Sequence, residues 1–139
     1  MLTSQSNARI KTLVQLRDKS KVRNELGLFL VEGVKMFLEA PIERIREVYV
    51  SESFYLKCTM KEEIQKHSYE IVADDVFKKI SATVTPQGII TVMKQYDYKT
   101  DDLLKQENPY LLLLEDIQDP GNLGTMIRTG EGAGIHGVI

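Results

Sequence analysis

"LLLLEDIQDPGNLGTMIRTGEGAGIHGVI", residues 111–139, contains the clearest succession of structural elements in the chain. The apolar run over residues 110–114 predicts a buried strand, and a polar segment ending in Asp-Pro-Gly-Asn follows it. The asparagine of that turn, Asn122, is suited to cap a helix over residues 122–133, after which a second strand is expected from Ile135. A strand, a helix and a strand in this order predict a βαβ unit.

The segment before this unit is polar. "QYDYKTDDLLKQENP", residues 95–109, is poor in aliphatic residues and ends in proline, which is typical of a linker. The residues after it are too few to form a stable domain alone. We therefore expect a complete domain over residues 1–94, a linker over 95–109 and the truncated start of a second domain over 110–139.

Strands and helices alternate in the first domain. A helix is expected after Ser6 or Asn7, since apolar residues recur there at helical spacing, and residues 21–27 are expected to interrupt it. The alternation predicts an α/β fold, a small αβα sandwich over a largely parallel sheet. The expected strands are Leu28–Gly33, Arg46–Ser51, Tyr69–Ala73 and Gly88–Lys94, and the expected helices are Val34–Ala40, Thr59–His67 with Thr59 as cap and Asp74–Ser81 with Asp74 as cap.

Positive charge is concentrated near the N-terminus. The chain carries a net charge of −2, yet its first 35 residues hold seven Lys or Arg against three acidic residues. Such a segment indicates either an anionic partner or a solvated helix face. Lys11, Lys21 and Arg23 are the candidates for contacts with phosphate groups.

Several classes of protein are disfavoured by the composition. A single cysteine, Cys58, and two distant histidines provide neither an internal disulfide nor a metal-ligand pattern. No apolar run approaches the ~20 residues of a membrane helix, and the N-terminus lacks the apolar stretch of a secretory signal. We expect a cytoplasmic protein without a metal site or a membrane partner.

Two motifs have competing interpretations. "GAGIHG", residues 132–137, matches the dinucleotide-binding G-x-G-x-x-G, but it follows a helix instead of opening one, so the match is accidental. Glu32-Gly33 comes at a strand end, where it could contact RNA or form a tight turn. Arg128, away from the apolar stripe of its helix, could be functional or a surface residue of a well-capped helix.

The C-terminal motif resembles the first motif of the SpoU (TrmH-type) RNA 2′-O-ribose methyltransferases of the SPOUT superfamily. Glu115, Asp119-Pro120 and the Asn-x-Gly-x-x-x-Arg pattern from Asn122 to Arg128 match that motif. "NARIKTLVQLRDKSKVRNELGLFLVEGVKMFLEA" and "TPQGIITVM" resemble the substrate-binding domain of the same family. Gly130 and Gly132 stand where the family usually has alanines, and we expect them to loosen the helix.

The resemblance implies a ribosomal-protein-like RNA-binding domain followed by the start of a knotted, Rossmann-like methyltransferase domain. It implies methyl transfer from S-adenosylmethionine to a ribose 2′-hydroxyl of structured rRNA or tRNA by a homodimer. Arg128 and Asn122 would be catalytic, and Lys11, Lys21, Arg23, Glu32 and Gly33 would contact RNA. The residues of the S-adenosylmethionine pocket are expected beyond residue 139. The alternatives are a non-catalytic RNA-binding module and, from the reversed glycine motif alone, a dinucleotide-binding enzyme.

Overall fold

The computed structural model describes all residues from 1 to 139, in two compact units, Met1–Gln95 and Tyr96–Ile139. The first unit contains four strands and six α-helices. The strands are β1 (Leu28–Glu32), β2 (Ile45–Ser51), β3 (Tyr69–Val72) and β4 (Ile89–Lys94). The helices are α1 (Ala8–Asp18), α2 (Ser20–Leu26), α3 (Val34–Glu39), α4 (Glu52–Lys57), α5 (Lys61–Gln65) and α6 (Asp74–Ile80), and a 3₁₀ turn spans Ile42–Arg44.

The sheet has the order β1-β4-β2-β3, and only β2 and β3 are parallel. The prediction of a largely parallel sheet is therefore wrong. Strand β4 runs antiparallel to both of its neighbours because it begins where they end. The N–H of Ser51, the last residue of β2, donates to the carbonyl of Gly88, which immediately precedes β4. The connection after α6 thus returns the chain to the same end of the sheet, which alternating hydrophobicity cannot reveal.

Helices cover both faces of the sheet, which confirms the predicted αβα sandwich. Alternate residues of β2 point to opposite faces, with Tyr49 in one core and Val48 and Val50 in the other. Buried side chains of α1 and α6 fill the first core. Phe37 of α3 and Ile64 of α5 fill the second core.

Three local predictions for the first unit are wrong. Residues 20–26 form helix α2 instead of an interruption, and because none of its residues is buried, apolar periodicity could not reveal it. Helix α5 begins at Lys61 without a side-chain cap. Asp74 is the first residue of α6 and not its cap; its carboxylate accepts a hydrogen bond from the N–H of Ser53 at 3.1 Å instead. That bond lowers the pKa of Asp74 from its usual range.

The second unit contains the predicted βαβ arrangement. Strand β5 (Leu111–Leu112) pairs in parallel with β6 (Gly137–Val138), and helix α8 (Pro120–Gly132) connects them. A short helix, α7 (Thr100–Leu104), lies inside the segment predicted to be a linker. The start of α8 differs from the prediction. Asp119 and not Asn122 is its N-cap, and Asn122 lies in its first turn. The carboxylate of Asp119 accepts from the N–H of Asn122 at 2.6 Å.

Helix α8 continues through both glycines that were expected to loosen it. Gly130 is buried, and a Cβ atom at this position would overlap Cδ1 of Ile135. The helix therefore leaves space at Gly130 for the tip of the Ile135 side chain, despite a propensity cost of up to ~1 kcal/mol for the glycine.

Candidate functional site

The arginines of the N-terminal segment are largely engaged within the first unit. Arg9 forms ion pairs with Glu47 and Glu70, which raise its pKa. Arg17 pairs with Asp18 and donates to the carbonyl oxygens of Lys79 and Ser81. Much of the positive charge counted in the sequence is thus neutralised or used to hold α1 in place, and sequence alone gave no sign of these distant partners.

The network around Arg9 includes a buried tyrosine. The hydroxyl of Tyr49 donates to Glu47 at 2.6 Å, and Tyr49 is 2% exposed. Burial is the main cause that raises the pKa of Tyr49 well above its ordinary value of 10.0, and the hydrogen bond to Glu47 raises it further.

Tyr49 should make the fold sensitive to alkali. Because its pKa is raised in the folded state, its contribution is complete below the unfolded pKa of about 10 and is lost as the pH rises beyond it. Urea unfolding should show a free energy of unfolding that decreases as the pH is raised from about 9 to about 11. Tyr49→Phe should make this decrease smaller. The exposed Tyr98→Phe is the control; equal slopes in both variants would contradict this role for Tyr49.

Lys11 and Lys21 are the predicted phosphate contacts that remain accessible. Lys11 is exposed and has no ion pair. The side chain of Lys21 is 85% exposed, and its Nζ lies 3.8 Å from Glu25 in a pair of the kind that contributes little in solvent. Both amines can therefore exchange their present surroundings for a phosphate group at low cost.

Glu32 holds a loop that is distant in sequence. Its Oε1 accepts from the hydroxyls of Ser81 at 2.7 Å and Thr83 at 2.8 Å, and its Oε2 accepts from the N–H of Ala82 at 3.1 Å. Its carboxylate thus anchors residues 81–83 against the end of β1.

Gly33 lies against Gln87, which precedes Gly88 in the segment "TPQGIITVM". Gly33 has a φ of 114°, and a Cβ atom there would lie 2.9 Å from Oε1 of Gln87. That oxygen accepts from the N–H of Val34 at 3.1 Å. The structure therefore brings Glu32-Gly33 and Gln87-Gly88 together as two adjoining turns, which supports the tight-turn interpretation of Gly33.

Arg23 and Glu32 line one cavity of about 400 Å³, although they belong to α2 and β1. Nη1 of Arg23 donates to the carbonyl oxygens of Leu16 and Arg17 at 2.9 and 3.0 Å, which closes the C-terminal end of α1. Arg23 is half-buried, so unlike Lys11 and Lys21 it has a structural role as well as its predicted role in binding.

In the second unit, the guanidinium group of Arg128 extends back along its own helix. Nη2 lies 3.2 Å from the hydroxyl of Thr125, and the side chain is exposed. Gly124 lies one turn earlier, where a Cβ atom would be 3.3 Å from Nη1. The glycine four residues before the arginine thus leaves room for a guanidinium group that lies toward the Asp119–Asn122 turn. The spacing of four residues between Gly124 and Arg128 is the feature of the sequence that indicates this arrangement.

A cavity of the second unit lies between helix α8 and residues of and beside β5. This cavity of about 330 Å³ is lined mainly by apolar groups, among them Leu112, Met126 and Ile135. The hydroxyls of Thr125 and Thr129, which also line it, donate to carbonyl oxygens of their own helix. Tyr110 also lines the cavity, and no carboxylate does. None of the helices is long and apolar enough to cross a membrane, and no group of three or more His, Cys, Asp or Glu side chains could hold a metal ion.

Comparison with known proteins gives consistent matches. The family model of the MRM3-like substrate-binding domain matches residues 7–91. The 23S rRNA (guanosine(2553)-2′-O)-methyltransferase RlmP of Bacillus subtilis (strain 168) is 31% identical over 140 residues, which cover 99% of this chain and 53% of that protein. The mitochondrial rRNA methyltransferase 3 of Xenopus tropicalis is 29% identical over 138 residues, which cover 94% of this chain and 33% of that protein.

The structural matches extend over both units. The AdoMet-bound rRNA methyltransferase from Sinorhizobium meliloti superimposes with a TM-score of 0.79 at 27% identity, covering 99% of this chain and 52% of that one. The SpoU methyltransferase AviRb from Streptomyces viridochromogenes shares the fold, with a TM-score of 0.72 at 22% identity. The chain thus spans between about a third and about half the length of the relatives described here.

Proposed function

Because the chain belongs to the family of MRM3-like substrate-binding domains, we propose that it holds structured RNA for methylation of a ribose 2′-hydroxyl. The first unit binds the RNA, and the second unit supplies the first part of a SpoU-type methyltransferase domain. In the whole protein, S-adenosylmethionine is the methyl donor and rRNA is the favoured substrate, with tRNA as the second candidate.

One observation carries this proposal. The similarity to rRNA methyltransferases runs through both units, over 99% of this chain, and not through the first unit alone. A separate RNA-binding module would not need the second unit, with its Asp119-capped helix and its arginine extended toward that cap. The extent of the similarity therefore supports a methyltransferase function as well as RNA binding for the whole protein.

Lys11 and Lys21 are proposed to bind phosphates on the outer side of α1 and α2. Arg23, Glu32 and Gly33 are proposed to shape the adjoining surface, since each is held by hydrogen bonds or by tight packing. In the whole enzyme, Arg128 and Asn122 are proposed to act on the ribose. We also propose that the whole protein is a cytoplasmic homodimer in which the apolar residues exposed on the second unit are covered, among them Tyr110, Leu113 and Ile139.

Removal of the two accessible lysines should weaken the salt dependence of RNA binding. Each phosphate contact contributes about 0.7 to the slope of log K against log salt on single strands and about 0.9 on duplex DNA. Lys11→Gln combined with Lys21→Gln should flatten the slope by roughly 1.4 on single-stranded RNA, and by more on a duplex. Fluorescence anisotropy of a labelled RNA hairpin at several salt concentrations measures this slope.

The matched control removes the same charge from the opposite face of the sheet. Lys61→Gln combined with Lys66→Gln changes α5 and the residue after it, and α5 packs on the second core. This control should leave the slope nearly unchanged. Equal slopes for the two double variants would show that the N-terminal lysines are only a solvated helix face, and absence of RNA binding would contradict the proposed function.

A further inference from the structure

The cavity beside β1 has an apolar floor and an open rim. Leu16, Ile80 and Ile90 form its floor and are at most 2% exposed. Ala82 and Thr83 belong to its rim and are exposed. With about 400 Å³, the cavity is in the range of small-molecule sites and larger than packing defects of a protein core.

Polar side chains also line this cavity, those of Arg17, Arg23, Glu32 and Thr83, and hydrogen-bonding capacity is left on Arg23 and Glu32. Arg23 uses only Nη1 in its bonds to the end of α1, so its Nη2 and Nε have no protein partner. Oε2 of Glu32 accepts a single hydrogen bond, from the N–H of Ala82. The cavity therefore offers donors from one side chain and an acceptor from another, above an apolar floor.

We propose that this cavity binds an unpaired nucleobase of the RNA, an inference that rests on the proposed function. A nucleobase has two apolar faces and carries donors and acceptors on its edge, which matches the floor and the two polar groups. The apolar floor favours the face of a base over a phosphate group, because burying a charged group against apolar side chains is costly. Lys11 and Lys21 are left to bind phosphates outside the cavity, so one RNA strand can use both features.

Variants that fill the cavity test the binding of a nucleobase separately from the contacts with phosphate groups. Ala82→Phe adds a large side chain at the rim and keeps the backbone N–H that donates to Glu32. Val84→Phe is the matched control, because Val84 is fully exposed on the same loop and does not line the cavity. Thr83→Phe is a second filling variant in case the first does not fold, and circular dichroism establishes folding of each.

Two RNA probes distinguish a base in the cavity from general binding. One is a hairpin with 2-aminopurine in its single-stranded loop, and the other is a fully paired duplex of similar length. We expect the wild-type chain and Val84→Phe to change the 2-aminopurine fluorescence and to bind the hairpin with equal affinity. The filling variants should lose the fluorescence change and bind the hairpin about tenfold more weakly, as removal of one base contact predicts. Their affinity for the duplex should not change.

Equal behaviour of the filling variants and Val84→Phe on the hairpin would overturn the nucleobase site and leave the proposed RNA binding intact. An equal loss of affinity for the hairpin and the duplex would also overturn the nucleobase site, because the effect of filling the cavity would then not depend on unpaired bases. If the wild-type chain binds neither probe, the proposed function fails, and the nucleobase site fails with it.

Discussion

Replacement of Arg128 by lysine in the whole methyltransferase is expected to lower turnover by roughly 10²–10³, the scale for loss of one preorganised transition-state donor. A 2′-hydroxyl that attacks a methyl group must lose its proton, and negative charge develops on its oxygen. A guanidinium group with a pKa above ~12 is a poor proton acceptor. Arg128 is therefore expected to stabilise that oxygen and hold the neighbouring phosphate. Lysine keeps the charge but loses the planar arrangement of donors.

The position of Arg128 explains why its replacement should leave the fold unchanged. Its side chain is exposed, and it donates one hydrogen bond, to the hydroxyl of Thr125. Arg46→Lys, at an exposed position of β2, is the control for a general effect of exchanging arginine for lysine. Single-turnover methylation assays, with RNA affinity measured separately, test the expectation. Turnover close to that of the wild type would show that Arg128 is a surface residue of a well-capped helix.

Gly88→Ala is expected to lower the free energy of unfolding of the first unit by about 2–5 kcal/mol, which combines a strained backbone with overpacking. Gly88 has a φ of 86°, and an added Cβ atom would lie 2.5 Å from Cβ of Phe54 and 3.0 Å from Oγ of Ser51. Neither neighbour can move freely, because Ser51 caps α4 by accepting from the N–H of Phe54.

Gly27→Ala separates the two causes of that loss. Gly27 also has a positive φ, 62°, but no atom lies within 4 Å of its added Cβ. Only the backbone cost of roughly 1–2 kcal/mol should therefore appear. Urea unfolding of both variants, followed by circular dichroism, measures the difference. Equal losses would contradict the close packing of Gly88 against Phe54.

Features that depend on local pattern could be predicted from the sequence. The alternation of strands and helices led to the αβα sandwich, and the order of apolar run, turn and helix led to the βαβ unit. The sheet order could not be predicted, because the sequence does not show at which end β4 begins. The cap of α8 was also misplaced, since Asp119 and Asn122 are both suited to the position and only the backbone geometry distinguishes them.

The candidate binding residues could be predicted by type but not by role. Lys11 and Lys21 are exposed, as is usual for charged side chains. Arg9 and Arg17 instead contact residues distant in sequence, and Arg23 contacts the end of α1. The partners of Glu32 lie about fifty residues away, so no local pattern connects them. Arg128 was identified through the resemblance of its motif, and the structure added the role of Gly124.

The central position of β4 determines when this protein can fold during synthesis. Strand β4 is the last of the four strands to leave the ribosome, yet it joins β1 to β2, which do not pair with each other. A nascent chain that ends before Ile89 has only the β2–β3 pair, and β1 has no partner. The four-stranded sheet therefore cannot be completed before residue 94 has emerged, and the unpaired edges of β1 and β2 are exposed to aggregation until then.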